Sequence, residues 1–113
     1  MPESCLFCRI VRGEIPASIV MQDEHCLAFR DINPQAPVHV LVIPREHVPT
    51  LNEASEPEIL GRILLMAAAV AKEAGVAEAG YRTVINTNGA AGQTVFHVHA
   101  HVLGQRHLAW PPG

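Results

Sequence analysis

Residues 96–103 read Phe96-His97-Val98-His99-Ala100-His101-Val102-Leu103, with a histidine at every second position from 97 to 101. In extended chain successive side chains point to opposite faces, so a period of two predicts a strand, here Val95 to Leu103. His97, His99 and His101 then share one face, and Val98, Ala100 and Val102 the other. A polar, solvent-facing strand that merely uses histidine is the competing account. It suits an isolated residue such as His25 or His107, but not three imidazoles in register. The row is read as a core face backed by a face for chemistry.

The elements around the row follow from punctuation and period. Asn86-Thr87-Asn88-Gly89-Ala90-Ala91-Gly92-Gln93 is a loop that follows a second strand, Tyr81 to Asn86. Further upstream a long helix opens at Ser55, with Glu58 three residues on as its capping-box partner and Pro57 tolerated in the first turn. Ile59, Leu60, Ile63, Leu64, Ala67 and Val70 recur at helical spacing, and Gly75 closes the helix. Nearer the start, Cys5 to Arg12 reads as a short helix closed by Gly13. Ala17 to Met21 and Cys26 to Phe29 read as a hairpin turning at Asp23 and Glu24. The proline-bearing loop from Ile32 to Pro37 feeds a β-branched strand, His39 to Ile43, stopped by Pro44. This pattern predicts an α+β fold: a mainly antiparallel five-stranded sheet with one long and one short helix.

The whole chain, 113 residues without repeat or low-complexity linker, has the length of a single domain, residues 1–113. Its hydrophobic content of 49% is high for so small a domain and points to some surface covered by a second subunit. A net charge of −3, with Lys72 the sole lysine and seven scattered arginines, argues against capture of a nucleic-acid backbone. No apolar run reaches the roughly 20 residues a membrane span needs, and the start MPESCLFCRI has no basic-then-apolar secretory pattern. Cys5, Cys8 and Cys26 make an odd count with one tight pair, which fits reduced thiols or metal ligands better than a disulfide framework. The expected location is the cytoplasm.

Two chemistries compete for the histidine row. Neutral imidazoles could converge on a catalytic metal, as in three-histidine zinc sites. Alternatively one imidazole could attack phosphorus and form a covalent intermediate that water then opens. The loop ahead of the row favours the second, because Gly89, Gly92, Gln93 and Thr94 offer backbone donors and a hydroxyl for phosphate oxygens.

The run His97-Val98-His99-Ala100-His101-Val102-Leu103 resembles the signature of the histidine triad (HIT) superfamily, histidine alternating with apolar residues. The resemblance extends over nearly the whole chain. It takes in Phe7 and Ile10, Phe29 to Pro37, His39 with Leu41 to Pro44, Asn86, Gly92-Gln93-Thr94 and the ending Trp110-Pro111-Pro112-Gly113. That ending resembles the Hint branch, the purine nucleoside phosphoramidases, more than the dinucleoside polyphosphate hydrolases. The resemblance implies a HIT-like fold and hydrolysis of the P–N bond of purine nucleoside 5′-phosphoramidates, with acyl-adenylates as further substrates. His99 is then the nucleophile, oriented by the His97 carbonyl, while His101 and His39 bind phosphate and move a proton. Asp31 would accept from the ribose hydroxyls. Phe7, Ile10, Phe29 and Ile32 would form the base slot, and Asn86, Gly92, Gln93, Thr94 and Trp110 would complete the nucleotide site.

The same resemblance implies a structural zinc held by Cys5, Cys8, His47 and His97, with no cofactor needed for catalysis. It also implies a homodimer whose interface includes the long helix and the Tyr81 to Asn86 strand. A nucleotide-binding regulatory module with incidental turnover, a dinucleoside polyphosphate hydrolase and a metal-dependent hydrolase are the alternatives.

Overall fold

The computed structural model describes residues 2–113. Among them the chain forms α1 (Leu6–Val11), β1 (Ile19–Gln22), β2 (Cys26–Arg30), β3 (Val38–Pro44), α2 (Pro57–Glu73), β4 (Tyr81–Val84) and β5 (Ala100–Gly104). The strands make one sheet in the order β1-β2-β3-β5-β4, every neighbouring pair antiparallel. This is the expected α+β architecture. The β1–β2 turn is set by Asp23, whose carboxylate accepts from the backbone N–H groups of His25 and Cys26.

Each face of the sheet carries its own apolar cluster. On one, α2 lays Ile63, Met66, Ala67, Val70 and Ala71 against Ala28, Val40, Val42, Val98, Ala100 and Val102. On the other, Phe7 and Ile10 of α1 cover Leu27, Phe29, Leu41 and Ile43. Each fully buried aliphatic side chain contributes about 2 kcal/mol of transfer free energy, so the α2 face supplies most of the stability. The α1 helix covers only part of the opposite face, and that partial cover leaves room for a site.

The boundaries differ from the sequence reading where tertiary contacts decide them. The helix α2 begins at Pro57, with Glu56 as a cap that makes no side-chain bond, not at Ser55. Proline forces the residue before it into extended backbone, and Glu56 at φ −106° and ψ 111° obeys. The capping pair sits earlier: Thr50 accepts from Asn52 N–H and donates to Glu53, closing the 3₁₀ turn Leu51–Glu53. At the far end Gly75, at φ +78°, donates to Lys72 O while Val76 donates to Ala71 O, the paired bonds of a Schellman motif. The strands β1 and β4 are two residues out at one end, β1 starting at Ile19 and β4 ending at Val84.

The largest correction concerns the histidine row. Only Ala100–Gly104 pairs in the sheet, not Val95 to Leu103. The partner strand β3 ends at Pro44, and beyond the Val42–Ala100 pair the chains part. Val98 N–H then reaches the Val48 carbonyl at 2.6 Å instead of a β3 residue. The alternation of faces nevertheless persists, for Val98, Ala100 and Val102 all lie in the α2-side core.

Candidate functional site

The site forms on the α1 face, where β3 and β5 run side by side. Register sets Leu41 opposite His101 and His39 opposite Leu103, so His39 and His101 are diagonal neighbours. Their rings meet with Nε2 of His39 2.9 Å from Nδ1 of His101. His99 packs in a T-shaped pair with Phe7, centroids 5.0 Å apart, and Phe7 in turn makes a T-shaped pair with Phe29.

Hydrogen bonds to main-chain groups decide which imidazole nitrogens carry protons. Nδ1 of His99 lies 2.7 Å from the carbonyl oxygen of His97, which can only accept. The proton is therefore on Nδ1, and Nε2 of His99 presents a lone pair. Nδ1 of His39 accepts from Gln35 N–H at 3.0 Å, so Nε2 carries the proton and donates to His101. That nitrogen is also 3.4 Å from the Asp31 carboxylate. His101, accepting at Nδ1, keeps its own proton on Nε2.

Burial holds these rings neutral. It pushes His101 down to about 4, helped by the nearby charges His99 and His39 would carry. It lowers His99 as well, against the opposing pull of the His97 carbonyl and Asp31. His39 is lowered by burial and partly restored by Asp31. At neutral pH the site holds uncharged imidazoles, one with an exposed lone pair and one with an N–H, beside a carboxylate.

His97 takes part differently from the other two. Its ring is completely buried and donates from Nε2 to the Pro44 carbonyl at 2.8 Å. Its Nδ1 lies 3.4 Å from Cys5 Sγ, 3.5 Å from Cys8 Sγ and 3.3 Å from His47 Nδ1, while Cys8 Sγ is 3.2 Å from His47 Nδ1. Ligands on a tetrahedral zinc stand about 3.3 Å apart for two nitrogens and about 3.6 Å for nitrogen and sulfur. The four groups thus fit a zinc ion in spacing and in donor type. With both ring nitrogens of His97 so committed, the three imidazoles do not converge on one metal ion. That geometry speaks against the three-histidine metal reading. His97 contributes only its backbone carbonyl to the reacting face.

The remaining residues named from the sequence scatter in exposure. Phe7, Phe29 and Ile10 are buried together, Ile10 in the packing behind the rings, whereas Ile32 is fully exposed. Asp31 follows β2, and one of its oxygens accepts from Asn33 N–H. The buried Gln93 amide is spent on main-chain groups, donating to the Pro49 and Val95 carbonyls and accepting from Asn88 N–H. Gly92 holds the left-handed backbone, φ +93°, that this loop requires. Asn86 is half-buried, and Thr94 and Trp110 are exposed. Sequence reasoning missed Gln35, which acts through its N–H, and Arg106, whose Nε donates to the Gln35 carbonyl at 2.9 Å. A main-chain donor leaves no signal in residue type, and Arg106 lies 71 positions from its partner.

A single antiparallel sheet with a neutral imidazole oriented by a main-chain carbonyl and a coupled imidazole pair on its partly covered face defines a class, and the family comparison agrees. The HIT domain model matches residues 12–108, so the chain belongs to the HIT family. Among its relatives, an uncharacterized HIT-like protein of Synechococcus elongatus is 56% identical over 115 residues, covering 100% of both chains. The purine nucleoside phosphoramidase of Escherichia coli is 49% identical over 110 residues, covering 96% of this chain and 92% of that one. The crystal structure of a HIT family hydrolase from Legionella pneumophila superimposes with a TM-score of 0.95 at 50% identity, covering 97% and 100% of the two chains. Of these relatives, the Legionella protein is a HIT family hydrolase and the Escherichia coli protein a phosphoramidase, and the chain is similar to both over nearly its full length.

Proposed function

We propose that the protein hydrolyses the P–N bond of purine nucleoside 5′-phosphoramidates through a nucleotidyl-histidine on His99. The observation that carries this reading is the 2.7 Å bond from His99 Nδ1 to the His97 carbonyl, which aims a lone pair outward from Nε2. In the first step Nε2 attacks the α-phosphorus, and an N–P bond forms as the bond to the amine breaks. An amine leaves poorly unless protonated. The anionic phosphate, once bound beside His101, favours its imidazolium form, and that proton passes to the departing nitrogen. While His101 is charged, the His39 N–H has the Asp31 carboxylate as its other acceptor. In the second step neutral His101 takes a proton from water as its oxygen attacks phosphorus. This frees His99 and releases the nucleoside monophosphate.

In this reading Asp31 accepts from the ribose hydroxyls. Phe7, Phe29, Ile10 and Ile32 border the base, and Asn86, Gly92, Gln93, Thr94 and Trp110 complete the nucleotide site. Zinc at Cys5, Cys8, His47 and His97 would tie α1 to the row, a structural duty and not a chemical one. Its two thiolates suit a reducing compartment, the cytoplasm. No helix among the described residues is long and apolar enough to cross a membrane. The functional unit is a homodimer, a reading supported by exposed Leu64 and Leu65 on α2 and by β4 at the sheet edge. Arg82 of β4 holds the carbonyls of Leu108 and Ala109, which keeps the tail bearing Trp110 beside that edge. Sedimentation giving only monomer at micromolar concentration refutes the dimer.

The direct test is rapid quench of the protein with an adenosine phosphoramidate, followed by intact-mass and peptide mapping. A nucleotidyl adduct on His99 is expected, and His99→Ala is expected to bind AMP without turnover. Wild-type turnover by that variant would reject nucleophilic catalysis. Nucleotide binding without turnover in the wild type would favour a regulatory module.

A further inference from the structure

The loop between β2 and β3 is tied down at successive points. Asp31 accepts from Asn33 N–H at 2.8 Å, the Gln35 side-chain amide donates to the Asn33 carbonyl at 3.0 Å, and Pro34 and Pro37 stiffen the chain between. These bonds are internal to the loop. Beyond the bonds to His39 of β3, an anchor comes from Arg106, which follows β5: its Nε donates to the Gln35 carbonyl at 2.9 Å and its Nη1 to the His107 carbonyl at 3.1 Å. The guanidinium thus spans two carbonyls in a planar fork that a lysine ammonium reproduces only in part. Gln105 ahead of it takes left-handed backbone, φ +68°, which turns Arg106 back across the sheet end.

Residue Gln35 is held at both of its main-chain groups. Its carbonyl is taken by Arg106, and its N–H points at Nδ1 of His39. That N–H keeps the His39 proton on Nε2, the nitrogen that faces both His101 and Asp31. An imidazole without such a partner exchanges freely between its two neutral tautomers. If the proton moved to Nδ1, His39 and His101 would meet lone pair to lone pair at 2.9 Å.

We propose that Arg106 is a positioning residue for the hydrolytic site: by anchoring Gln35 it fixes the tautomer of His39 and, through it, that of His101. The kinetic side of this rests on the function proposed above, but the tautomer does not.

The test uses full-length protein with ¹⁵N-labelled histidine, comparing wild type with Arg106→Ala and Arg106→Lys. Long-range ¹H–¹⁵N correlations at neutral pH report which ring nitrogen is protonated. Wild type is expected to show His39 and His101 as single Nε2–H tautomers. Arg106→Ala is expected to move the His39 shifts toward the average of two tautomers, with Arg106→Lys between the two. Arg106 is exposed, so the thermal midpoint is expected to stay close to wild type. On an adenosine phosphoramidate, kcat for the alanine variant is expected to fall about tenfold, with partial rescue by lysine. His39 and His101 spectra that superimpose on wild type in Arg106→Ala overturn the proposal, as does a kinetic loss matched by a drop in thermal midpoint with tautomers unchanged. If the wild type does not hydrolyse phosphoramidates, the proposed function fails while the spectra still decide the role of Arg106.

Discussion

Acidification offers a quantitative test of the partly buried imidazole at His101. Burial holds that ring down to about 4, against 6.5 for an ordinary histidine. Because the folded value is depressed, the unfolded chain binds a proton first as pH falls. The full stability is present above about pH 6.5 and is lost progressively below it. Taken in full, that shift would withdraw about 2 kcal/mol between neutrality and about pH 5, and solvent screening of this partly exposed ring brings the expected loss to about 1 kcal/mol. The assay is urea unfolding at fixed protein concentration across that range, on wild type and on His101→Asn. Comparing the two cancels contributions from groups away from His101, the Cys/His cluster and self-association among them, while those of the coupled His39 and His99 stay in the difference. Wild type is expected to lose about 1 kcal/mol more than the variant between neutral pH and about pH 5. Parallel stability curves would show that His101 is not held neutral by its surroundings and would undo the assignment of its protons.

Other expectations follow from the same geometry. The acid limb of kcat/KM for a phosphoramidate is expected below 6.5, because burial lowers His99 in the free protein; a midpoint above 6.5 refutes a neutral buried nucleophile. Metal analysis of protein purified without chelator is expected to give about one zinc per chain. Cys8→Ser, at a completely buried position, is expected to abolish that zinc and lower the thermal midpoint; undiminished zinc content in the variant would remove Cys8 from the ligand set. Gly104→Ala would place a Cβ 3.0 to 3.2 Å from three side-chain atoms of buried Val76. The cost is expected to be about 1–3 kcal/mol in thermal or urea unfolding, and an unchanged midpoint would show that Val76 yields freely.

The sequence carried those parts of the fold that repeat locally. Alternation at 97–102 named the face of each histidine correctly even where no ladder holds them, because the core requires Val98, Ala100 and Val102 whatever the hydrogen bonding. Where the ladder stops was not legible from that segment, since the last pair, Val42 with Ala100, depends on the course of a partner strand distant in sequence. The capping pair was misplaced for a similar reason: Ser55 and Glu58 have the right spacing, but Pro57 fixes the helix start one residue on. In the site, Cys5, Cys8, His47 and His97 were named together from the resemblance, and the fold brings their donor atoms within 4.8 Å of one another. The pairing of His39 with His101 depends on strand register, and the bond from Gln35 on a main-chain group. Neither is written in residue type.

His99 takes its orientation from the His97 carbonyl, His97 from the Pro44 carbonyl, and His39 from the Gln35 amide. None of these three partners belongs to a side chain. A carboxylate doing the same work could be erased by one codon change, whereas a main-chain carbonyl remains whatever residue stands there and an N–H is lost only to proline. The alignment of the imidazoles is in this sense protected against point mutation and vulnerable only to changes that move the backbone. Genetic variation that damages the site is therefore expected in the histidines themselves or at the positions that hold the chain in place around them.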